Sequence, residues 1–185
     1  SLKDGRFLLG TCCDNPAKDF LFNPGTLTWS TTGAPQESQQ GQGYELLQTG
    51  RILTLDVAAA PGTQLYSGAT DGWSNGSSLP ASLADSCGSN AMGPVVVRGD
   101  NTVVGFGADT CGVNPVQTAI RDNTTGHWSA GPAIPSVCGS SGTAPCDTAD
   151  APAVLEPDGM ILFAASAGYG TTPTHMFELT LDNTI

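Results

Sequence analysis

The stretch "GYELLQTGRILTLDVAAAPGTQLYSGATDGWSNGS", residues 43–77, contains four short runs of apolar and β-branched residues separated by turn residues. Thr49-Gly50 joins the first two runs, and such a dipeptide suits a tight hairpin because it accommodates a positive φ. A third run begins at Thr63, and a fourth begins with Trp73-Ser74. The stretch therefore predicts four antiparallel β-strands connected as successive hairpins.

The same order of features recurs along the chain, roughly every 44–58 residues. The hairpin phrases are "LKDGRFLLG" (2–10), "LQTGRILTL" (47–55), "VRGDNTVVGFG" (97–107) and "LEPDGMILFAA" (155–165), and a strand is predicted before the last three, at 43–47, 93–97 and 150–155. A third strand follows each phrase, at 19–24, 63–68, 117–123 and 175–181. All three tryptophans, Trp29, Trp73 and Trp128, come seven residues after Phe22, Tyr66 and Arg121. In the last copy we expect Ile185 at the tryptophan position, counted from Glu178.

A unit of four short antiparallel strands with this period is typical of a β-propeller blade. We therefore predict one all-β domain with blade-like units at about 1–36, 43–80, 93–135 and 150–185. A β-sandwich also uses short strands, but it does not repeat this internal order at fixed spacing. The tryptophans are interpreted as packing residues, since a large ring in an outer strand covers the neighbouring blade.

The composition favours a folded, turn-rich and acidic protein. The 24 Gly and 13 Pro raise disorder as an alternative, but 39% of the residues are hydrophobic and they cluster in short runs. The formal net charge is −11, and the six basic residues are scattered, so we expect no nucleic-acid partner. We also expect no membrane insertion, because no apolar run approaches the roughly 20 residues that span a bilayer. A cation, a neutral glycan and a protein remain as ligand classes.

Six cysteines indicate an oxidising, extracellular or periplasmic location. In a propeller blade the loop between the second and third strands lies at the same end as the connection to the next blade, and all six cysteines fall at this end. The spacing favours a Cys138–Cys146 pair, and a Cys87–Cys111 pair would join two loops of the third unit. Cys12 and Cys13 either bridge to each other or pair elsewhere, because six cysteines allow 15 pairings. No metal site is predicted, since neither a CxxC motif nor a nearby histidine accompanies them.

The phrase "LKDGRFLLG…DFLFNPGTLTWSTTG" and its three echoes resemble kelch-type β-propellers, the superfamily that includes the galactose oxidase central domain. The phrases "GYELLQTGRILTLDV…TQLYS…GWSNGS", "GPVVV…DNTVVGFG" and "DAPAVLEPDGMILFAA" are similar to a group of bacterial secreted kelch-like proteins without a well-defined activity. The resemblance covers nearly the whole chain. It implies a secreted propeller and leaves the function open, because propellers host many functions.

The four units do not make a closed ring, since the first lacks its first strand and the last is truncated. Related propellers commonly have six or seven blades, and an open sheet edge is a liability. We therefore expect either a segment of a longer propeller or a half-ring that a second copy completes. The second case predicts a homodimer.

We expect a secreted binding or scaffold module, with no catalytic residue and no cofactor in this segment. The alternative is part of a secreted carbohydrate-active or galactose-oxidase-like enzyme. The resemblance implies that such a copper enzyme needs two His, two Tyr and a cross-linked Cys, whereas His127 and His175 are predicted in strands away from the loop-rich end. The candidate ligand-binding residues lie at the predicted axial end of the inner strands: Tyr44, Asp56, Asp109 and Asp150.

Overall fold

The structure, a computed structural model, describes residues 1–10, 18–35, 43–55, 62–80, 83–85, 87–89 and 91–185. These residues form four antiparallel sheets. Sheet 1 consists of β1 (Phe7–Gly10), β2 (Asp19–Asn23) and β3 (Thr28–Thr31), and sheet 2 of β4 (Tyr44–Leu46), β5 (Arg51–Leu55), β6 (Thr63–Ser67) and β7 (Gly72–Asn75). Sheet 3 consists of β8 (Val95–Val97), β9 (Thr102–Phe106), β10 (Gln117–Asp122) and β11 (Trp128–Ala133), and sheet 4 of β12 (Ala153–Leu155), β13 (Ile161–Ala165) and β14 (His175–Leu179). The described part of the chain contains no helix, so the predicted all-β class is confirmed. It accordingly has no helix long and apolar enough to cross a membrane.

Each sheet is a meander in which strands pair in chain order, and none of the four closes into a barrel. The four predicted hairpin turns are present, and each places one residue in the left-handed region: Gly5, Gly50, Asn101 and Gly159, with φ between 68° and 91°. In each turn this residue donates its N–H to the carbonyl three positions earlier. The turn dipeptides therefore do what the sequence predicts, because glycine and asparagine adopt positive φ at low cost.

The register explains the spacing of the tryptophans. Trp29 lies opposite Phe22, and Trp73 lies opposite Tyr66, with ring centroids 4.8 and 5.1 Å apart. Trp128 lies opposite Arg121 in the same way. The seven-residue spacing therefore joins two residues that face each other across the hairpin between the last two strands of a sheet.

The fourth copy departs from the expectation by one residue. Ile161, the equivalent of Phe7 and Ile52, pairs with Leu179 and not with Glu178. Ile185 therefore does not take the tryptophan position, and it packs instead at the edge of the apolar cluster between sheets 3 and 4.

The sheets pack face to face in chain order. We call the side of a sheet that faces the preceding sheet its back face, and the other side its front face. Three apolar clusters fill the spaces between sheets 1 and 2, sheets 2 and 3, and sheets 3 and 4. The inner strands β4, β8 and β12 are neighbours in this stack.

Candidate functional site

The loops at one end of the sheets are fastened by two disulfides, and we call this end the loop end. Cys87, in the connection from sheet 2 to sheet 3, is bonded to Cys111 in the loop between β9 and β10. Cys138 is bonded to Cys146 in the connection from sheet 3 to sheet 4. Both pairs are the ones that the sequence favours, and they fit an oxidising environment. Cys12 and Cys13 lie outside the described residues.

Asp85 fixes the loop end from the connection into sheet 3. Its carboxylate accepts hydrogen bonds of 2.6–3.1 Å from the backbone N–H and the hydroxyl of both Ser89 and Thr110. Burial alone would raise the pKa of Asp85, but these hydrogen bonds hold the pKa well below its usual range. The ionised carboxylate therefore joins two loops as a structural acceptor.

Asp109, a predicted ligand-binding residue, shapes the loop between β9 and β10. Its Oδ2 atom accepts N–H bonds from Val113 at 2.6 Å and Asn114 at 2.7 Å, and its own N–H donates to Asp147 at 2.8 Å. Only 2% of Asp109 is exposed. Its carboxylate is thus engaged in bracing the loop, and its contact with a ligand stays a prediction.

Asp85, Cys87 and Asp109 place an oxygen, a sulfur and a second oxygen within 4.8 Å of one another. This spacing resembles that of metal ligands, but the sulfur of Cys87 belongs to a disulfide and is not a thiolate. The two carboxylates already accept several hydrogen bonds. We therefore interpret the cluster as loop packing.

Tyr44, the second predicted ligand-binding residue, lies between sheets 1 and 2. Its hydroxyl donates to Asp19 Oδ1 at 2.8 Å. Burial raises the pKa of Asp19, which this hydrogen bond partly offsets, and burial together with the Asp19 charge raises the pKa of Tyr44. A Cβ atom on Gly10 would lie only 2.7 Å from the Tyr44 ring carbon that bears the hydroxyl. Tyr44 is therefore built into an inter-sheet contact, while Asp56 lies outside the described residues.

Asp150, the remaining candidate, lines an open cleft of about 350 Å³ at the loop end of sheet 4. Its φ is +52°, and its N–H donates to Met92 O, which holds the start of β12 beside the start of β8. The cleft is also lined by Asp147, Ser166, Tyr169, Thr171 and Thr174. A neighbouring cleft of about 450 Å³ shares Asp150 and Tyr169 and continues to Ser89 and Thr110. Asp150 thus lies between two concave surfaces.

Tyr169 is the residue at this site that the sequence analysis did not single out. Its side chain is 62% exposed, and its N–H donates to Thr110 O in the loop between β9 and β10. Gly168 and Gly170 flank it with positive φ. The phrase "SAGYGTT" is the sequence signal for this residue. An aromatic side chain between two glycines in a long loop is more suited to ligand contact at the surface than to core packing.

The cleft has the chemistry of a hydroxyl-recognising surface. An exposed aromatic ring offers an apolar face, and the Asp150 carboxylate and the threonine hydroxyls offer hydrogen-bonding groups beside it. Asp147 is less available, since its Oδ1 atom accepts N–H bonds from Asp109 and Ala149. A few polar groups around a small apolar surface are typical of ligand pockets.

The two histidines lie at opposite ends of the sheets. His127 is in the turn between β10 and β11 and not in a strand as predicted, but it lies away from the loop end as expected. His175 opens β14 and pairs with Ala165 beside the loop that follows β13. The expectation that His175 lies away from the loop end was therefore wrong, because a third strand starts where that loop ends. Its ring stacks on Phe177, with centroids 6.2 Å apart.

No family model and no curated protein matches this chain.

Proposed function

We propose that the chain is a secreted, kelch-type propeller module that binds a neutral glycan in the cleft lined by Asp150 and Tyr169. The observation that carries this proposal is the exposed Tyr169 ring beside the Asp150 carboxylate in a concave surface. A sugar ring has apolar C–H faces that pack on an aromatic ring and equatorial hydroxyls that donate to a carboxylate. The chain's charge of −11 disfavours anionic ligands, and a neutral glycan is among the ligand classes that it leaves.

The rigidity of the loop end supports binding. The Cys87–Cys111 bridge fastens the loop that contains Thr110, and the Cys138–Cys146 bridge lies in the connection that continues to Asp150. Asp85 adds hydrogen bonds from Ser89 and Thr110, which line the neighbouring cleft. A surface fixed before the ligand arrives loses less conformational entropy on binding.

The test is a screen of neutral oligosaccharides on an array, followed by calorimetric titration of the best binder. We expect Tyr169→Ala to weaken binding about tenfold, which corresponds to roughly 1.4 kcal/mol. Asp150→Asn should weaken it by a similar amount, because the amide is a poorer acceptor.

Matched controls separate the cleft from the rest of the surface. Leu181→Ala changes an apolar side chain of similar exposure, and Asp158→Asn changes an aspartate in the hairpin turn at the opposite end. Both controls should bind as the wild type does. An array without binders, or equal affinities for all four variants, would refute the proposal.

Cleavage of a glycan is the second candidate function, and one observation favours it. Asp147 and Asp150 both line the cleft, and burial raises the pKa of Asp147, partly offset by hydrogen bonds from two backbone N–H groups. Hydrolysis of a glycosidic bond uses a pair of carboxyl groups with separate roles. An assay for released reducing sugar decides the question: Asp150→Asn should abolish the release, and the absence of release by the wild type leaves binding alone.

A further inference from the structure

Two sheet faces are left open by the described residues: the back face of sheet 1 and the front face of sheet 4. The back faces of sheets 2, 3 and 4 are buried, and so are the front faces of sheets 1, 2 and 3, because each pair encloses one apolar cluster. The two open faces are therefore the two halves of an interface that occurs three times within the chain.

The back face of sheet 1 carries the same ladder as the buried back face of sheet 2. Phe7 pairs with Phe22 and Phe22 with Trp29, just as Ile52 pairs with Tyr66 and Tyr66 with Trp73. Trp29 is 56% exposed, whereas Trp73 is 8% exposed. Leu9, two residues after Phe7 on the same face, is 53% exposed. Sheet 1 thus presents a packing surface that nothing in the described chain covers.

The front face of sheet 4 shows the complementary pattern. Val154 on β12 is 55% exposed, while its equivalent on β8, Val96, is 8% exposed. Met176 on β14 is 58% exposed, while Thr118 at the same position of sheet 3 is 2% exposed. Register defines these equivalences, since Val154 pairs with Leu162 as Val96 pairs with Val104. Sheet 4 therefore exposes apolar side chains at positions that are buried in sheet 3.

Both open faces are apolar, although the protein is acidic. Their strand residues are Phe7, Leu9, Phe20, Phe22, Trp29 and Thr31 on sheet 1, and Val154, Leu162, Ala164, Met176 and Glu178 on sheet 4. Glu178 is the one charged side chain among them. The exposed apolar side chains among them, 47–58% exposed, are Phe7, Leu9, Trp29, Val154 and Met176. Exposed apolar side chains grouped in this way mark a protein contact. Repulsion between two chains of charge −11 is weakest where the faces carry almost no charge.

We infer that a second copy of this chain covers both faces, with the front face of sheet 4 in each copy packed on the back face of sheet 1 in the other. Each copy carries one face of each kind, and the same pair of faces already packs three times inside it. Two identical head-to-tail contacts close under twofold symmetry and give a ring of eight sheets. The inference rests on other observations than glycan binding, although Ala164 belongs to the front face of sheet 4 and also lines the cleft. A mass measured without glycan tests the dimer separately from binding.

The test uses two variants, one on each face, and measures molar mass by sedimentation equilibrium. The wild type should sediment with twice the 18.8 kDa mass of the chain. Trp29→Arg and Met176→Asp should each weaken dimerisation about tenfold or more, because a charge replaces an exposed apolar side chain on the proposed interface. Both positions are more than half exposed within the chain, so the folded monomer should tolerate the changes.

An equimolar mixture of the two variants distinguishes a head-to-tail contact from a face that pairs with itself. The mixed dimer has one wild-type interface and one that carries both substitutions, so the mixture should dimerise more tightly than either variant alone. Val113→Arg, at a loop position that is 66% exposed, should dimerise as the wild type does. Circular dichroism and thermal unfolding establish that each variant is folded.

Three results would overturn the inference. A wild type that remains at 18.8 kDa at all concentrations would mean that further blades or another protein cover these faces. A dimer that folded Trp29→Arg and Met176→Asp leave unchanged would place its interface elsewhere. A mixture no tighter than the separate variants would mean that the contact is not head to tail.

Discussion

Glu45 is an acidic side chain at an apolar position. It lies on the front face of β4, paired with the buried Leu53, where the equivalent residues of β8 and β12 are Val96 and Val154. Burial raises the pKa of Glu45 to about 7. An acid with a raised pKa contributes most stability when protonated, below its ordinary pKa of 4.5, and that contribution is lost as the pH rises through 7.

The first prediction concerns Glu45→Gln. Near pH 4 we expect the variant and the wild type to have the same free energy of unfolding, because both side chains are neutral. At pH 8 the variant should be more stable by about 1 kcal/mol, a value reduced from the full effect of the pKa shift because Glu45 is only partly buried. Urea denaturation at the two pH values measures the difference. A Glu45→Gln variant no more stable than the wild type at pH 8 would contradict the role given to Glu45.

Gly112 is a point at which the two long loops at the loop end approach each other closely. Its φ is +65°, and a Cβ atom would lie 2.3 Å from the backbone oxygen of Ala167. Gly142 has almost the same φ, +68°, but has no neighbour within 4 Å of that point. Alanine substitutions at Gly112 and Gly142 therefore separate two losses of stability. One comes from the positive φ alone, and the other comes from a clash of the new Cβ atom with a neighbouring loop.

The second prediction follows from this pair. Gly142→Ala should lower the free energy of unfolding by about 1 kcal/mol, through the positive φ alone. Gly112→Ala should lower it by about 3 kcal/mol, because the loop that contains Ala167 must also move. Thermal and urea denaturation measure both values. Equal losses in the two variants would show that the loops do not approach as closely as described.

At the scale of elements, the contribution of a tryptophan to stability depends on whether another sheet covers its face. Trp73 lies on the buried back face of sheet 2, where its Nε1–H donates to Thr32 Oγ1 at 3.3 Å. Trp29 occupies the same position of sheet 1 and is more than half exposed. The same position is therefore buried in sheet 2 and open in sheet 1.

The third prediction compares these two positions. Trp73→Ala should lower the free energy of unfolding by about 3–5 kcal/mol, since it empties a buried aromatic site. Trp29→Ala should lower it by less than about 1 kcal/mol when the protein is too dilute to associate. Denaturation at submicromolar concentration gives both values. A large loss for Trp29→Ala under those conditions would mean that the open face is covered within the chain itself.

The strand order was predictable because each of its signals is local. Turn dipeptides such as Thr49-Gly50 precede short β-branched runs, and a hairpin of fixed length places Trp73 opposite Tyr66. The one-residue error at Glu178 arose where no tryptophan marked the register. Local sequence signals thus predict the strands and turns. Where no tryptophan fixes the register, the predicted pairing can be wrong by one residue.

The candidate site was less predictable, because the path of a loop depends on contacts far apart in sequence. Asp109 and Asp150 look alike as loop aspartates, yet backbone N–H groups surround the carboxylate of Asp109 and the side chain of Asp150 is exposed. Tyr169 reaches the cleft through a loop with no periodic pattern. Only the folded loops distinguish a bracing carboxylate from one that faces a cleft.

At the scale of the whole molecule, the four sheets form a stack with two unlike ends. Three internal interfaces join a front face to a back face, and each end presents the half that the other lacks. A repeat array generally requires its terminal faces to be capped by polar residues or covered. Trp29 and Met176 do not provide a polar cap. In the dimer proposed above, one kind of head-to-tail contact would cover both open faces.

Small-angle X-ray scattering of the wild-type chain tests this account most directly, because one profile reports both mass and shape. A head-to-tail dimer gives a particle of twice 18.8 kDa with the flat, closed outline of a ring of eight sheets, unchanged on moderate dilution. A particle of 18.8 kDa with the outline of an open stack at every concentration would contradict it.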